Sequence, residues 1–179
     1  MSFHYERFEM DLLTAVEKYA KSQLENKEDI YIMSIEYFPD FTTFVVIRAN
    51  TYSYLNAYLK EQEIETEEEY FYYKYCEEEW DLYEPLEELS DILQTEYKKM
   101  EETYTEEFNR IQEEHAEKII EVCINVMKKF KETDTYKQFK KLYLNVYVRE
   151  YYEGYAEDVI QIFEEINGVE NIEEYSKWL

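Results

Sequence analysis

The sequence predicts a single α+β domain: a small, mostly antiparallel β-sheet packed with several long helices. Three observations lead there. The hydrophobic pattern changes period along the chain, from helical spacing to β-branched and aromatic runs, back to helix, and late in the chain to strict alternation. Glycine and proline number two each, so sharp turns are few and long helices are expected. A chain of 179 residues that is 45% hydrophobic is long and apolar enough to bury one substantial core.

Each element follows from its own pattern. Residues 3–26 read as a helix, with Phe8, Leu12, Val16 and Tyr19 at helical spacing, Ala15, Ala20 and Leu24 widening the stripe, and Asn26 as a stop. The runs 30–38 and 41–50 are β-branched and aromatic and flank a turn at Pro39-Asp40, which predicts two antiparallel strands. A short helix over 51–62 carries Tyr54, Leu55, Tyr58 and Leu59. YFYYKY, residues 70–75, is aromatic throughout without helical periodicity and reads as a short strand. Pro85 suits a first helical turn and opens a helix lined by Leu86, Leu89, Leu93, Tyr97 and Met100.

Thr103 and Glu106 have the spacing of a capping box and open a long helix to about residue 131. Its buried stripe is Phe108, Ile111, His115, Ile119, Val122, Val126 and Phe130. Leu142, Leu144, Val146 and Val148 then alternate with Tyr143, Asn145, Tyr147 and Arg149, the pattern of a strand with one face on the core. After Gly154 a helix through Val159, Ile160, Phe163 and Ile166 ends at Asn167-Gly168, and the tail packs as a last short helix through Trp178. No repeat, linker or low-complexity stretch divides residues 1–179.

The net charge of −24 excludes whole classes of partner. It repels nucleic-acid phosphates and anionic membranes and attracts basic surfaces, so neither nucleic acid nor membrane is expected. The N-terminus lacks the basic-then-apolar layout of a secretion signal, and no apolar run reaches membrane-spanning length. Cys76 and Cys123 stand in no metal or CxxC spacing, which with the absent leader argues for a reduced, cytoplasmic protein; a disulfide between them remains open.

Chemistry finds little to build on. His4 and His115 are isolated, and His115, on an apolar stripe, reads as a satisfied core histidine and not a metal ligand. The acidic runs at 67–69 and 77–79 have no nearby glycine for a calcium loop. With Gly154 and Gly168 as the only glycines, neither a phosphate-cradling loop nor a nucleophile elbow can form. No catalytic, cofactor-binding or metal-binding residues are therefore expected. A hydrolase built on paired carboxylates stays open, but 43 acids make close pairs inevitable, so their presence carries no weight.

The charge is concentrated. Residues 61–90 hold thirteen acids against one base, Lys74, a net −12, half the total in about a sixth of the chain. Like charges this dense repel, and a neutralising partner relieves that cost. Interleaved rings supply the side chains enriched at binding hot spots. The candidate partner-binding residues are Tyr72, Tyr75, Glu77, Glu78, Glu79, Trp80, Asp81, Tyr83 and Glu84. Two plainer readings stand beside this one: Trp80 as an anchor to the core, and the glutamate runs as a solvated face.

Three stretches, VVIRANT (45–51), YFYYKYCEEEW (70–80) and LYLNVYV (142–148), give the chain a resemblance to a known family. Ala49, Asn50 and Thr51, the pattern Tyr75-x-x-x-Glu79-Trp80, and the late strand resemble DUF4303, bacterial proteins of uncharacterised activity. The chain differs in a heavier acidic run before Glu79 and in Arg149-Glu150 after the late strand. The resemblance spans most of the chain and implies an immunity-protein-like role. Such a protein binds and neutralises a basic toxin domain, for example a nuclease, without catalytic residues of its own. The expectation is thus a non-enzymatic acidic inhibitor, a monomer or weak homodimer. The alternative is a structural or regulatory scaffold whose acidity only solubilises it and whose tyrosines mediate self-association.

Overall fold

A computed structural model describes residues 3–26, 29–39, 43–104, 107–148 and 156–179. Helix α1 (Tyr5–Glu25) leads into strands β1 (Ile30–Phe38) and β2 (Phe44–Thr51), then helices α2 (Tyr52–Glu61) and α3 (Glu67–Tyr75). A 3₁₀ turn (Glu77–Glu79) precedes β3 (Leu82–Pro85), followed by α4 (Glu87–Thr103), α5 (Phe108–Lys131), β4 (Tyr143–Val148), α6 (Ala156–Asn167) and α7 (Ile172–Tyr175). The class is α+β, as expected.

The sheet runs β3-β2-β1-β4. It is mixed: β1/β2 and β2/β3 are antiparallel, whereas β4 lies parallel to β1, with Ile35 opposite both Ile47 and Val146. A parallel neighbour needs a long crossover, and β4 is reached only after α2 to α5. A register shift between Ile30 and Ile32 lets Tyr31 and Ile32, consecutive residues, pack in the same cluster.

Helices cover one face with hydrocarbon. Met33, Ile35, Val45, Ile47, Leu144 and Val146 meet Leu12 and Val16 of α1, Leu93 of α4, and Ile119, Val126 and Phe130 of α5. The stripes read from the sequence for α1, α4 and α5 are those the core uses, although Leu86, Phe108 and Ile111 remain half-buried. The opposite face is aromatic: Tyr31, Tyr143 and Tyr147 pack with Leu55, Phe71, Tyr75, Trp80, Phe163 and Tyr175.

Four expectations are corrected. YFYYKY is part of a helix, α3, because Phe71, Lys74 and Tyr75 turn inward at i, i+3 and i+4, a spacing hidden by the rings on every side. Thr66 caps it, its hydroxyl accepting from the Glu69 N–H at 3.2 Å, with three glutamates in the first turn and Lys74 in the last. Pro85 ends the short outer strand β3 and does not open a helix; an edge strand tolerates proline because no ladder donor is lost. Thr103 is the last residue of α4 and does not open the long helix, which begins at Phe108 after Glu107 with no side-chain cap. Finally, β4 is buried along its whole length because both faces of the sheet are covered. Asp40, Glu106, Arg149, Glu150 and Gly154 lie outside the described residues.

The outer edge of β4 is closed by a side chain. Asn167, buried at the end of α6, accepts from the Leu144 N–H at 3.0 Å and donates to the Leu144 carbonyl at 2.7 Å, as a neighbouring strand would. Gly168 adopts φ +93°, the left-handed conformation that stops α6, and its N–H reaches the Glu164 carbonyl at 2.7 Å.

Candidate interaction surface

The aromatic face carries a polar row across all four strands. Register places Tyr83 opposite Arg48, Arg48 opposite Ser34, and Ser34 beside Asn145. One step along, Glu36 lies between Val46 and Tyr147. Glu36 is 0% exposed, and Arg48 Nε donates to its Oε2 at 2.6 Å. The same guanidinium lies 5.0 Å from the Tyr83 ring centroid and donates from Nη1 to the Glu77 carbonyl at 3.4 Å. A cation is thus held between a carboxylate and a ring, and it ties the 77–79 turn to the sheet.

Tyrosine hydroxyls fasten α3 to this face. Tyr31 donates to the Lys74 carbonyl at 2.7 Å and Tyr147 to the Tyr75 carbonyl at 2.7 Å, satisfying acceptors that a helix C-terminus leaves open. Asn50 Nδ2 donates to the Tyr31 hydroxyl at 3.0 Å, and Asn145 Nδ2 to that of Tyr175 at 2.8 Å. Burial raises the pKa of Tyr31, Tyr75 and Tyr175, keeping them neutral donors. Among the described residues Ser34 Oγ, Asn145 Oδ1 and Trp80 Nε1 find no protein partner, although all three are buried.

The C-terminal segment straps α3 from outside. Lys74, buried among Tyr70, Phe71 and Tyr75, donates to Glu174 Oε1 at 2.5 Å, and the Tyr75 hydroxyl donates to the same oxygen. Burial pushes the Glu174 carboxyl up, but the Lys74 and Tyr75 hydrogen bonds outweigh it, and its pKa ends below the ordinary value. Lys177 pairs with Glu67 at 2.8 Å and lies 4.8 Å from the centre of the Phe71 ring. The one base of the acidic stretch therefore faces inward.

The nine residues singled out from sequence divide between two depths. Tyr75, Glu77 and Trp80 are buried and support the surface from beneath; Trp80 packs edge-on to Tyr147, the anchoring role. Tyr72 and Tyr83 are 38% and 49% exposed, Glu78, Asp81 and Glu84 are exposed, and Glu79 is half-buried. Sequence reasoning missed Tyr54, Tyr58 and Tyr73 as site residues. Tyr54 and Tyr58 of α2 have ring centroids 5.9 Å apart, Tyr58 lies 5.0 Å from Tyr73 of α3, and Tyr73 lies 5.2 Å from Tyr72. The i, i+4 pair in α2 was visible in sequence; its continuation onto α3 requires the fold. Burial raises the Tyr54 and Tyr58 hydroxyl pKa values, and Glu79 raises both further; Asp81 adds to the shift at Tyr54.

Both cysteines are free and buried, and burial pushes their thiols up, Cys76 to about 11 and Cys123 to about 12, so neither is a thiolate near neutral pH. Among the described residues no group of three or more His, Cys, Asp or Glu is placed to hold a metal. Nor, among them, is any helix long and apolar enough to cross a membrane.

The late strand, the Glu79-Trp80 turn and the strand pair around Asn50 meet on this one face, and the family model for a domain of unknown function (DUF4303) matches residues 12–168. The chain belongs to the DUF4303 family. No curated protein and no solved structure matches it. The DUF4303 match takes in the whole sheet and the acidic lobe and ends at Gly168, before the strap of α7.

Proposed function

We propose that this DUF4303 protein is a non-enzymatic inhibitor that docks its acidic lobe on a basic protein partner, in the manner of an immunity protein occluding a toxin domain. One observation carries the reading. The lobe holds half the chain's net charge, and its only base, Lys74, is buried against Glu174, leaving Glu78, Asp81, Glu84, Glu87 and Glu88 exposed. Exposed Tyr72 and Tyr83 supply apolar contact within the same field. Long-range attraction speeds encounter with a cationic cleft, and the rings then exclude water from the contact. Self-association through the tyrosines is disfavoured by the same charge, because a second copy brings an identical acidic face.

The test is charge reversal at two exposed acids and the half-buried Glu79. Glu78→Lys, Glu79→Lys and Asp81→Lys together should slow association with a cognate basic toxin domain and flatten its salt dependence, while the fold is retained. Association kinetics at low and high salt measure this. Unchanged rates and undiminished protection of cells from that domain would exclude the lobe as the docking face.

A further inference from the structure

We propose that Tyr54, Tyr58, Tyr72 and Tyr73 form a seat for an arginine side chain of the partner, with Glu79 and Asp81 as its counter-charges. The proposal rests on the docking reading and names what that surface takes. The four rings follow one another at 5.9, 5.0 and 5.2 Å, and successive planes turn by 34°, 51° and 83°, so their faces do not all point the same way. Ring faces carry negative potential and attract cations.

Elsewhere several rings carry one of the chain's own cations. Arg48 lies over Tyr83, Lys118 over Tyr5, Lys141 over Tyr143 and Lys177 over Phe71, all between 4.7 and 5.6 Å. Among the described residues no Lys or Arg lies over the four rings of the α2–α3 ladder. The ladder also lies in the field of carboxylates: Glu79 acts on the hydroxyls of Tyr54, Tyr58 and Tyr72, Asp81 on Tyr54, and Glu78 on Tyr72.

The molecule supplies templates for what fits. Three of its cations satisfy rings and a carboxylate together: Arg48 over Tyr83 and on Glu36, Lys74 among Tyr70, Phe71 and Tyr75 and on Glu174, and Lys177 over Phe71 and on Glu67. A planar, weakly hydrated guanidinium makes both contacts at once, whereas a compact, strongly hydrated ammonium makes them less well. The ladder offers these components at the surface, and there the planarity and weaker hydration of guanidinium favour arginine over lysine.

Calorimetric titration of the full chain with an oligo-arginine peptide, its oligo-lysine counterpart and the neutral oligo-citrulline analogue tests this. Oligo-arginine should bind most tightly and oligo-citrulline not measurably. Tyr58→Leu or Tyr72→Leu should weaken oligo-arginine about three- to fivefold, while the Phe substitutions at the same positions leave it unchanged. Tyr72 is exposed, so Tyr72→Leu keeps the test valid should Tyr58→Leu fail to fold. If the Leu variants bind as the parent does, or citrulline binds as arginine does, the seat is refuted. The docking reading fails separately, if charge reversal at Glu84, Glu87 and Glu88, exposed acids of the same stretch outside the seat, leaves oligo-arginine affinity unchanged.

Discussion

On one side of the sheet, the side chains of Met33, Ile35, Val45, Ile47 and Val146 meet helices through hydrocarbon, and one polar link, from the Val45 N–H to Ser90 Oγ of α4 at 3.0 Å, joins them. On the other, the same strands present Ser34, Glu36, Arg48, Asn50 and Asn145 to a layer of tyrosines. The first face depends on area and volume, which are not directional and accept many sequences. The second depends on hydrogen bonds whose partners must be in place, and among the described residues it leaves Ser34 Oγ, Asn145 Oδ1 and the Trp80 and Trp178 indole nitrogens buried without a protein partner. What it gains is position. The hydroxyls of Tyr31 and Tyr147 and the Lys74–Glu174 pair hold α3 and the C-terminal strap in one arrangement, and the acidic surface is displayed on that support.

The strongest way to break this contrast is at Glu36. Arg48→Met leaves a wholly buried carboxylate without its counter-ion and should cost about 3–5 kcal/mol in urea unfolding. Replacing both partners, Glu36→Leu with Arg48→Met, should recover most of that loss, because the uncompensated charge goes with them. On the hydrocarbon face Ile47→Val removes one methylene and should cost about 1 kcal/mol. An Arg48→Met loss no larger than that of Ile47→Val would mean that the polar row carries no stability of its own.

Acid separates the two faces more gradually. His115 lies at the edge of the hydrocarbon side, its Nδ1 2.7 Å from the Tyr5 hydroxyl. Burial pushes its pKa down to about 4 from 6.5; Lys118 adds to the depression and Glu96 partly opposes it. Between those values the unfolded chain binds a proton that the native chain does not, so His115 costs stability as pH falls from 6.5 towards 4. The full difference amounts to about 3 kcal/mol. Glu174 acts on the other face and in a lower window. Its depressed pKa gives stability present above the ordinary carboxyl value and lost as pH falls through its folded value. Unfolding free energies of the parent and His115→Gln should therefore converge as pH falls from 6.5 to 4. Parallel curves would show that His115 titrates alike in both states.

The two faces also differ in how far the sequence discloses them. Stripes such as Leu12–Val16 and Ile119–Phe130 are legible because each helix has one apolar side, and the strand pair because β-branched runs flank a short break. In α3 every residue from Tyr70 to Tyr73 is a ring, so no apolar side stands out. Ser34, Glu36 and Arg48 alternate with core residues and look solvent-facing; that they are covered depends on α3, the 77–79 turn and the C-terminal strap, all remote in sequence. β3 is four residues long, and its pairing with β2 is a long-range contact without a local signal. The acidity of the lobe is plain from composition, whereas the inward turn of Lys74 and the Tyr54–Tyr72 ladder require the packing of α2 on α3.

The finest contrast lies within the polar row, between a hydroxyl that has a partner and one that has none. Tyr147 donates to the Tyr75 carbonyl, so Tyr147→Phe leaves a buried acceptor open and should cost about 1 kcal/mol. Ser34 Oγ is fully buried and bonds no protein atom. Ser34→Ala removes a desolvated hydroxyl without orphaning anything, and the methyl keeps the contact with β2 and β4. Its effect should lie within about 0.5 kcal/mol of zero, or stabilise. Urea unfolding of the two variants under the same conditions decides the point. A Ser34→Ala loss exceeding that of Tyr147→Phe would place a bound water or other polar partner on Ser34, and the polar row would then be a filled hydrogen-bond network rather than a partly unsatisfied one.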